Sequence, residues 1–174
     1  MYINIRELPA CQTCVNSGFL CNSCQKKLDE GEITDFELDL ARELLELEEK
    51  DGRFDFLKDV SFHKAIDYED VVILVVGKKD KLRINEDLLN WIKETYEVDE
   101  IILIEKTNKP RAVIESLIAP AKLLSLNEIF LATGDIEFKA ILRISDKDKI
   151  LFTKEELEEL TLELTGNVTR IEFA

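Results

Sequence analysis

The chain has 174 residues, 45% of them hydrophobic, enough for one ordered core or two small ones. No run approaches the roughly 20 apolar residues of a membrane helix. Met1-Tyr2-Ile3-Asn4-Ile5-Arg6 also lacks the cationic-then-apolar pattern of a secretion signal. A formal charge of -14 argues against a surface that grips nucleic acid over its whole extent, because such surfaces are basic. It fits a partner with a positive surface, or nucleic-acid contact confined to a small patch.

The first feature in chain order is Cys11-Gln-Thr-Cys14, six residues, then Cys21-Asn-Ser-Cys24. Each C-x-x-C aims two sulfurs at one point. The turn signal Asn16-Ser17-Gly18 between them would bring the two knuckles face to face. Four thiolates then close a tetrahedral shell, which predicts one structural Zn²⁺ held by Cys11, Cys14, Cys21 and Cys24. A closed shell has no open position for water, so a catalytic metal is not expected. A redox dithiol pair and an iron–sulfur cluster are the alternatives. All four cysteines lie in one short stretch and none elsewhere, which suits a reducing, cytoplasmic setting better than a disulfide scaffold.

After a short polar stretch, Thr34 is a good N-cap with Glu37 as capping-box partner. The helix is expected to run to about Lys50 with Leu40, Ala41, Leu44, Leu45 and Leu47 on its apolar stripe. Val60–Ile66 alternates weakly and reads as a strand. Val71–Val76 is a continuous β-branched run, expected as a buried strand. Gly77–Lys81 is a loop, Asn85 caps a helix to about Tyr96, and Glu100–Ile104 is a strand. Pro110 opens a short helix to about Ile118. Strands follow at Leu123–Leu131 and Ile136–Ile144, joined by a turn at Thr133-Gly134-Asp135. Thr153, with Glu156 at the box position, starts a helix to Leu164. Gly166 closes it, and Val168–Phe173 is a last strand. The fold class is therefore α+β, and a strand–helix–strand unit occurs twice.

The stretch Pro110-Arg-Ala-Val-Ile-Glu-Ser-Leu-Ile-Ala-Pro-Ala-Lys-Leu-Leu-Ser-Leu126 resembles the junction between the two KH domains of NusA-type transcription factors. Leu162-Glu-Leu-Thr-Gly166-Asn-Val-Thr-Arg-Ile-Glu-Phe173 resembles the end of their second KH domain. The cysteine cluster with Lys27-Leu28 and Gly31-Glu32-Ile33 resembles archaeal NusA-related proteins that carry a zinc module. The resemblance implies a zinc module at 1–32, a helix and connection at 33–60, and KH-like domains at 61–118 and 119–174. It also implies a cytoplasmic, non-enzymatic factor of the transcription or translation machinery, with RNA polymerase or ribosome components as partners.

The chain departs from the family pattern where KH domains bind RNA. Their Gly-x-x-Gly loop lets a nucleic-acid backbone approach closely. Neither Arg83-Ile84-Asn85-Glu86 nor Phe152-Thr153-Lys154-Glu155 contains a glycine. The second site leads into Glu156, Glu158 and Glu159, whose charge repels phosphate. RNA contact is then expected to be weak or local, through Lys26 and Lys27 beside the cysteines and through Lys78, Lys79, Lys81 and Arg83. Each set also reads as solvated surface.

Three functions stay open: an RNA-contacting factor, a protein–protein adaptor whose KH units have lost RNA binding, and a redox or metal-handling enzyme. His63 has no nucleophile at a useful spacing and reads as structural. Trp91 reads as core. Phe19-Leu20 reads either as helix packing or as an apolar docking tip.

Overall fold

The computed structural model describes Ile5 and residues 7–174. The remainder of the segment read for a secretion signal lies outside the described residues. The α+β class expected from the sequence is the class observed, with two three-stranded sheets. The chain divides into two compact units, residues 1–106 and 107–174.

The first unit begins with two short helices, α1 (Gln12–Ser17) and α2 (Asn22–Asp29), followed by the longer α3 (Asp35–Lys50). The Thr34 hydroxyl caps α3 by accepting from the Glu37 N–H at 3.2 Å. Leu40, Ala41, Leu44 and Leu45 recur at helical spacing and are buried, while Leu47 is only half-buried. A 3-10 segment, Gly52–Asp59, not foreseen in the sequence, carries Phe54 and Leu57 into the same core.

Strands β1 (Phe62–Tyr68) and β2 (Val71–Val76) then pair antiparallel, from Phe62 with Val76 to Tyr68 with Val71. β2 runs parallel to β3 (Glu100–Glu105). Parallel neighbours need a crossover. Here it holds the 3-10 turn Asp80–Leu82 and helix α4 (Glu86–Tyr96), which Asn85 caps by accepting from Leu88 N–H at 3.0 Å.

The second unit opens with α5 (Pro110–Ile118), with Pro110 at its first turn. Strands β4 (Leu123–Phe130) and β5 (Ile136–Leu142) form an antiparallel hairpin. A 3-10 segment, Ile144–Lys149, leads to α6 (Lys154–Thr165) and to β6 (Thr169–Phe173), which is parallel to β5. The Thr153 capping box is complete, and Gly166 ends α6 at φ 73°.

From α3 and from α5 onward, and apart from the extra 3-10 segment Gly52–Asp59 before β1, both units run helix, strand, strand, 3-10 turn, helix, strand, and their sheets share one order and one pattern of pairing directions. Even the irregularity in the first strand repeats, between Phe62 and Lys64 and between Leu123 and Ser125. The boundary falls between Lys106 and Thr107 rather than at 118/119. The reason is packing: α5, assigned to the first KH-like domain by its sequence, lies against α6 and β4.

Candidate metal centre

The cysteine segment folds as two helix starts rather than two bare turns. Cys11 is the N-cap of α1 and Cys21 the N-cap of α2. Three residues make nearly one helical turn, so Cys14 and Cys24 return to the side on which their partners began. The expected turn at Asn16-Ser17-Gly18 is the C-terminal end of α1, where Gly18 takes φ 76° and its N–H bonds to the Cys14 carbonyl. The short polar stretch after Cys24 continues α2 to Asp29.

The four sulfur atoms lie within 4.8 Å of one another. Cys14 and Cys24 are buried, and Cys11 and Cys21 are exposed. The Cys21 N–H donates to Cys14 Sγ at 3.1 Å, and the Cys11 N–H lies 3.5 Å from Cys24 Sγ. Each helix start thereby donates to the buried sulfur of the other. Cys11 and Cys14 Sγ are 3.0 Å apart. A metal–sulfur bond of about 2.3 Å gives tetrahedral sulfur edges of about 3.8 Å, so the cluster needs adjustments of about an ångström or less to close on one ion. The donor set fits a closed tetrathiolate shell, and these cysteines are positioned to hold a metal ion.

The thiols are unequal. Cys21 is lowered to about 7, first by the Cys24 backbone N–H and then by the Cys14 thiol. Cys11 is lowered, chiefly by hydrogen bonding with the Cys14 thiol. Cys14 is pushed up to about 12, chiefly by Cys11. Closing a metal shell on this cluster releases protons.

The cluster is built into the first unit's core. Cys14 and Cys24 join Ala10, Val15, Ile33, Leu40 and Leu44 in one buried group. Arg42 of α3 holds α1 by donating from Nε to the Val15 carbonyl at 3.4 Å. The two residues of the inter-knuckle turn part company: Leu20 packs against this core, and Phe19 is 82% exposed.

The basic residues singled out in the sequence fall on separate elements. Lys26 is exposed on α2 and 3.7 Å from Glu30, while Lys27 is half-buried. Lys78, Lys79, Lys81 and Arg83 are all exposed on the loop between β2 and α4. Buried Asp80, at the centre of that loop, was missed because an acid inside a lysine run reads as a solvated interruption. Its Oδ2 accepts from Ser61 N–H at 2.9 Å, and its N–H bonds to the Gly77 carbonyl at 3.0 Å. Gly77 is required here, since a Cβ would sit 2.2 Å from Asp80 Oδ2. Arg83 Nε lies 3.8 Å from Asp80 Oδ1, and the three lysines make no ion pair among the described residues.

In the second unit, two of the three glutamates expected to repel phosphate have local partners. Glu156 accepts from Thr153 N–H at 2.7 Å, and Glu158 accepts from Ile171 N–H at 2.8 Å. His63 Nδ1 lies 3.4 Å from Glu7 Oε2. Trp91 is half-buried against the core.

Fold and site together define an α+β protein with a four-cysteine metal-ligand cluster. No protein-family model and no curated protein matches the sequence. A solved structure described as "Crystal structure of APE1850" is similar over 67% of this chain and 88% of that one, at 15% identity and a TM-score of 0.47. No helix among the described residues is long and apolar enough to cross a membrane.

Proposed function

We propose that the chain is a non-enzymatic, zinc-stabilised, NusA-like KH-domain factor of the transcription or translation machinery, touching RNA locally through the Lys78–Arg83 loop. Zinc is the ion that best suits four thiolates in a closed shell with no open position. The repeated helix–strand–strand–helix–strand order supports two units of one kind. The observation that carries the RNA reading is the loop itself. Several other lysines and arginines, such as Lys50 with Glu46 and Arg170 with Glu137, are paired with a carboxylate. Lys78, Lys79 and Lys81 are exposed, unpaired among the described residues, and carried on a loop that Asp80 anchors. That loop precedes α4, where the family places its Gly-x-x-Gly segment.

Titrating the zinc-loaded protein with a mixed single-stranded RNA pool at low and moderate salt tests this reading. Three lysines predict a log–log salt slope near -2, from about -0.7 per phosphate on single strands. The Lys78→Glu/Lys79→Glu/Lys81→Glu variant should abolish binding. Absence of binding by the unaltered protein even at low salt would contradict it.

The second reading is an adaptor that docks on RNA polymerase or the ribosome and binds no RNA. Exposed apolar side chains favour it: Phe130 is 74% exposed, and its cross-strand partner Ile136 is 45% exposed. It predicts co-purification with one of those assemblies without affinity for RNA alone.

A further inference from the structure

Helices α3 and α4 border a groove of about 400 Å³ that has Trp91 and Leu47 as its apolar wall. Asp39, Glu43 and Glu46 line it, at the four- and three-residue spacing that sets side chains on one helix face. The groove also holds two cations. Arg42 donates to the Val15 carbonyl on α1, and Lys50 pairs with Glu46 at 3.1 Å. Asp39 and Glu43 have no cationic partner among the described residues. Their field is felt at Tyr96, on the last turn of α4. Burial first, and then the Glu43 and Asp39 charges, push its hydroxyl pKa up, so Tyr96 stays protonated.

We propose that this groove receives lysine and arginine side chains from a basic segment of a partner protein. Charge complementarity selects the occupant. The three carboxylates of the groove outnumber its two cations, and this negative excess beside an aromatic ring attracts a cation, both directly and through the ring quadrupole, and repels nucleic acid. A long basic side chain also has the aliphatic stem that Leu47 and Trp91 can cover while its head reaches the carboxylates. A small inorganic cation leaves that apolar wall unused. The net charge of -14 would speed the encounter with a positive partner. This inference is independent of the RNA reading, whose loop lies elsewhere in the sequence.

Trp91 is the only tryptophan, so intrinsic fluorescence reports on the groove directly. The probe is a decapeptide of alternating lysine and arginine, titrated into the full zinc-loaded chain, with spermine as comparator. The expected result is a saturable change in Trp91 emission. The Asp39→Asn/Glu43→Gln variant should bind more than about tenfold more weakly, and a Glu155→Gln/Glu159→Gln variant on α6 within about twofold of the unaltered protein. Equal weakening in both variants would assign the binding to overall charge and overturn the proposal, as would no saturable change. Spermine binding as tightly as the peptide would overturn the choice of a protein segment. With a labelled peptide, Trp91→Phe should weaken binding several-fold; an unchanged affinity would remove the ring from the site and contradict the proposal.

Discussion

Cys21 donates its backbone N–H to the Sγ of Cys14 at 3.1 Å, so the start of α2 stabilises the buried sulfur of α1. Cys14 is 3% exposed and packs in the core, whereas Cys11 is exposed. The two cysteines should therefore respond differently to serine. Both Cys11→Ser and Cys14→Ser are expected to lose the metal. In excess chelator, Cys11→Ser should melt with the unaltered protein. Cys14→Ser should be less stable by a further ~1–3 kcal/mol, from a hydroxyl placed in an apolar setting. Thermal melts with and without chelator check this.

Asp80 and Gly77 form a second linked pair. Asp80→Ala leaves the Ser61 N–H without its acceptor and should cost about 1–3 kcal/mol. Gly77→Ala should also destabilise, because its Cβ would fall 2.2 Å from Asp80 Oδ2. With Asp80 already removed, Gly77→Ala should cost much less, and a double-mutant cycle in urea reads that coupling. If the loop contacts RNA, Asp80→Ala should also weaken RNA binding with every lysine still present.

His63 supplies a pH dependence. Burial and the Lys106 charge lower its pKa, outweighing the nearby Glu7 carboxylate. The unfolded chain then binds more protons than the folded one just below the ordinary histidine value. Stability should be fully present above about pH 6.5 and fall as pH drops through the folded pKa. Urea midpoints between pH 8 and pH 5.5 should show this slope, and His63→Gln should flatten it.

Thr153 and Glu156 close the start of α6 with reciprocal bonds of 3.2 and 2.7 Å. Thr153→Ala removes the bond accepted by the hydroxyl, leaves the backbone N–H to donate to Glu156, and should cost about 1 kcal/mol, whereas Thr153→Asp should retain most of the stability. Hydrogen exchange in the first turn of α6 would show the same order.

Much of this was legible because the signals are local. Thr34, Asn85 and Thr153 mark helix starts through their own side chains, and Val71–Val76 marks a buried strand by composition. The four-cysteine cluster could be read because the spacing of the two C-x-x-C pairs is local. The helical state of the cysteine segment could not be read, since it depends on α1 packing against α3. Nor could the place of α5, whose apolar face does not say which neighbour covers it. Asp80 was hidden because its burial follows from an approach to Ser61, nineteen positions away. The groove at Asp39 and Glu43 is not legible in the sequence, because nothing local shows that Trp91 stands across from them.

Metal content tests the central claim most directly. Native mass spectrometry of the full chain, purified without added metal, should find one zinc per chain. All four thiols should react with a disulfide reagent only as that zinc is released. A folded, metal-free chain with four freely reactive thiols, unchanged in melting temperature by zinc or chelator, would contradict the account.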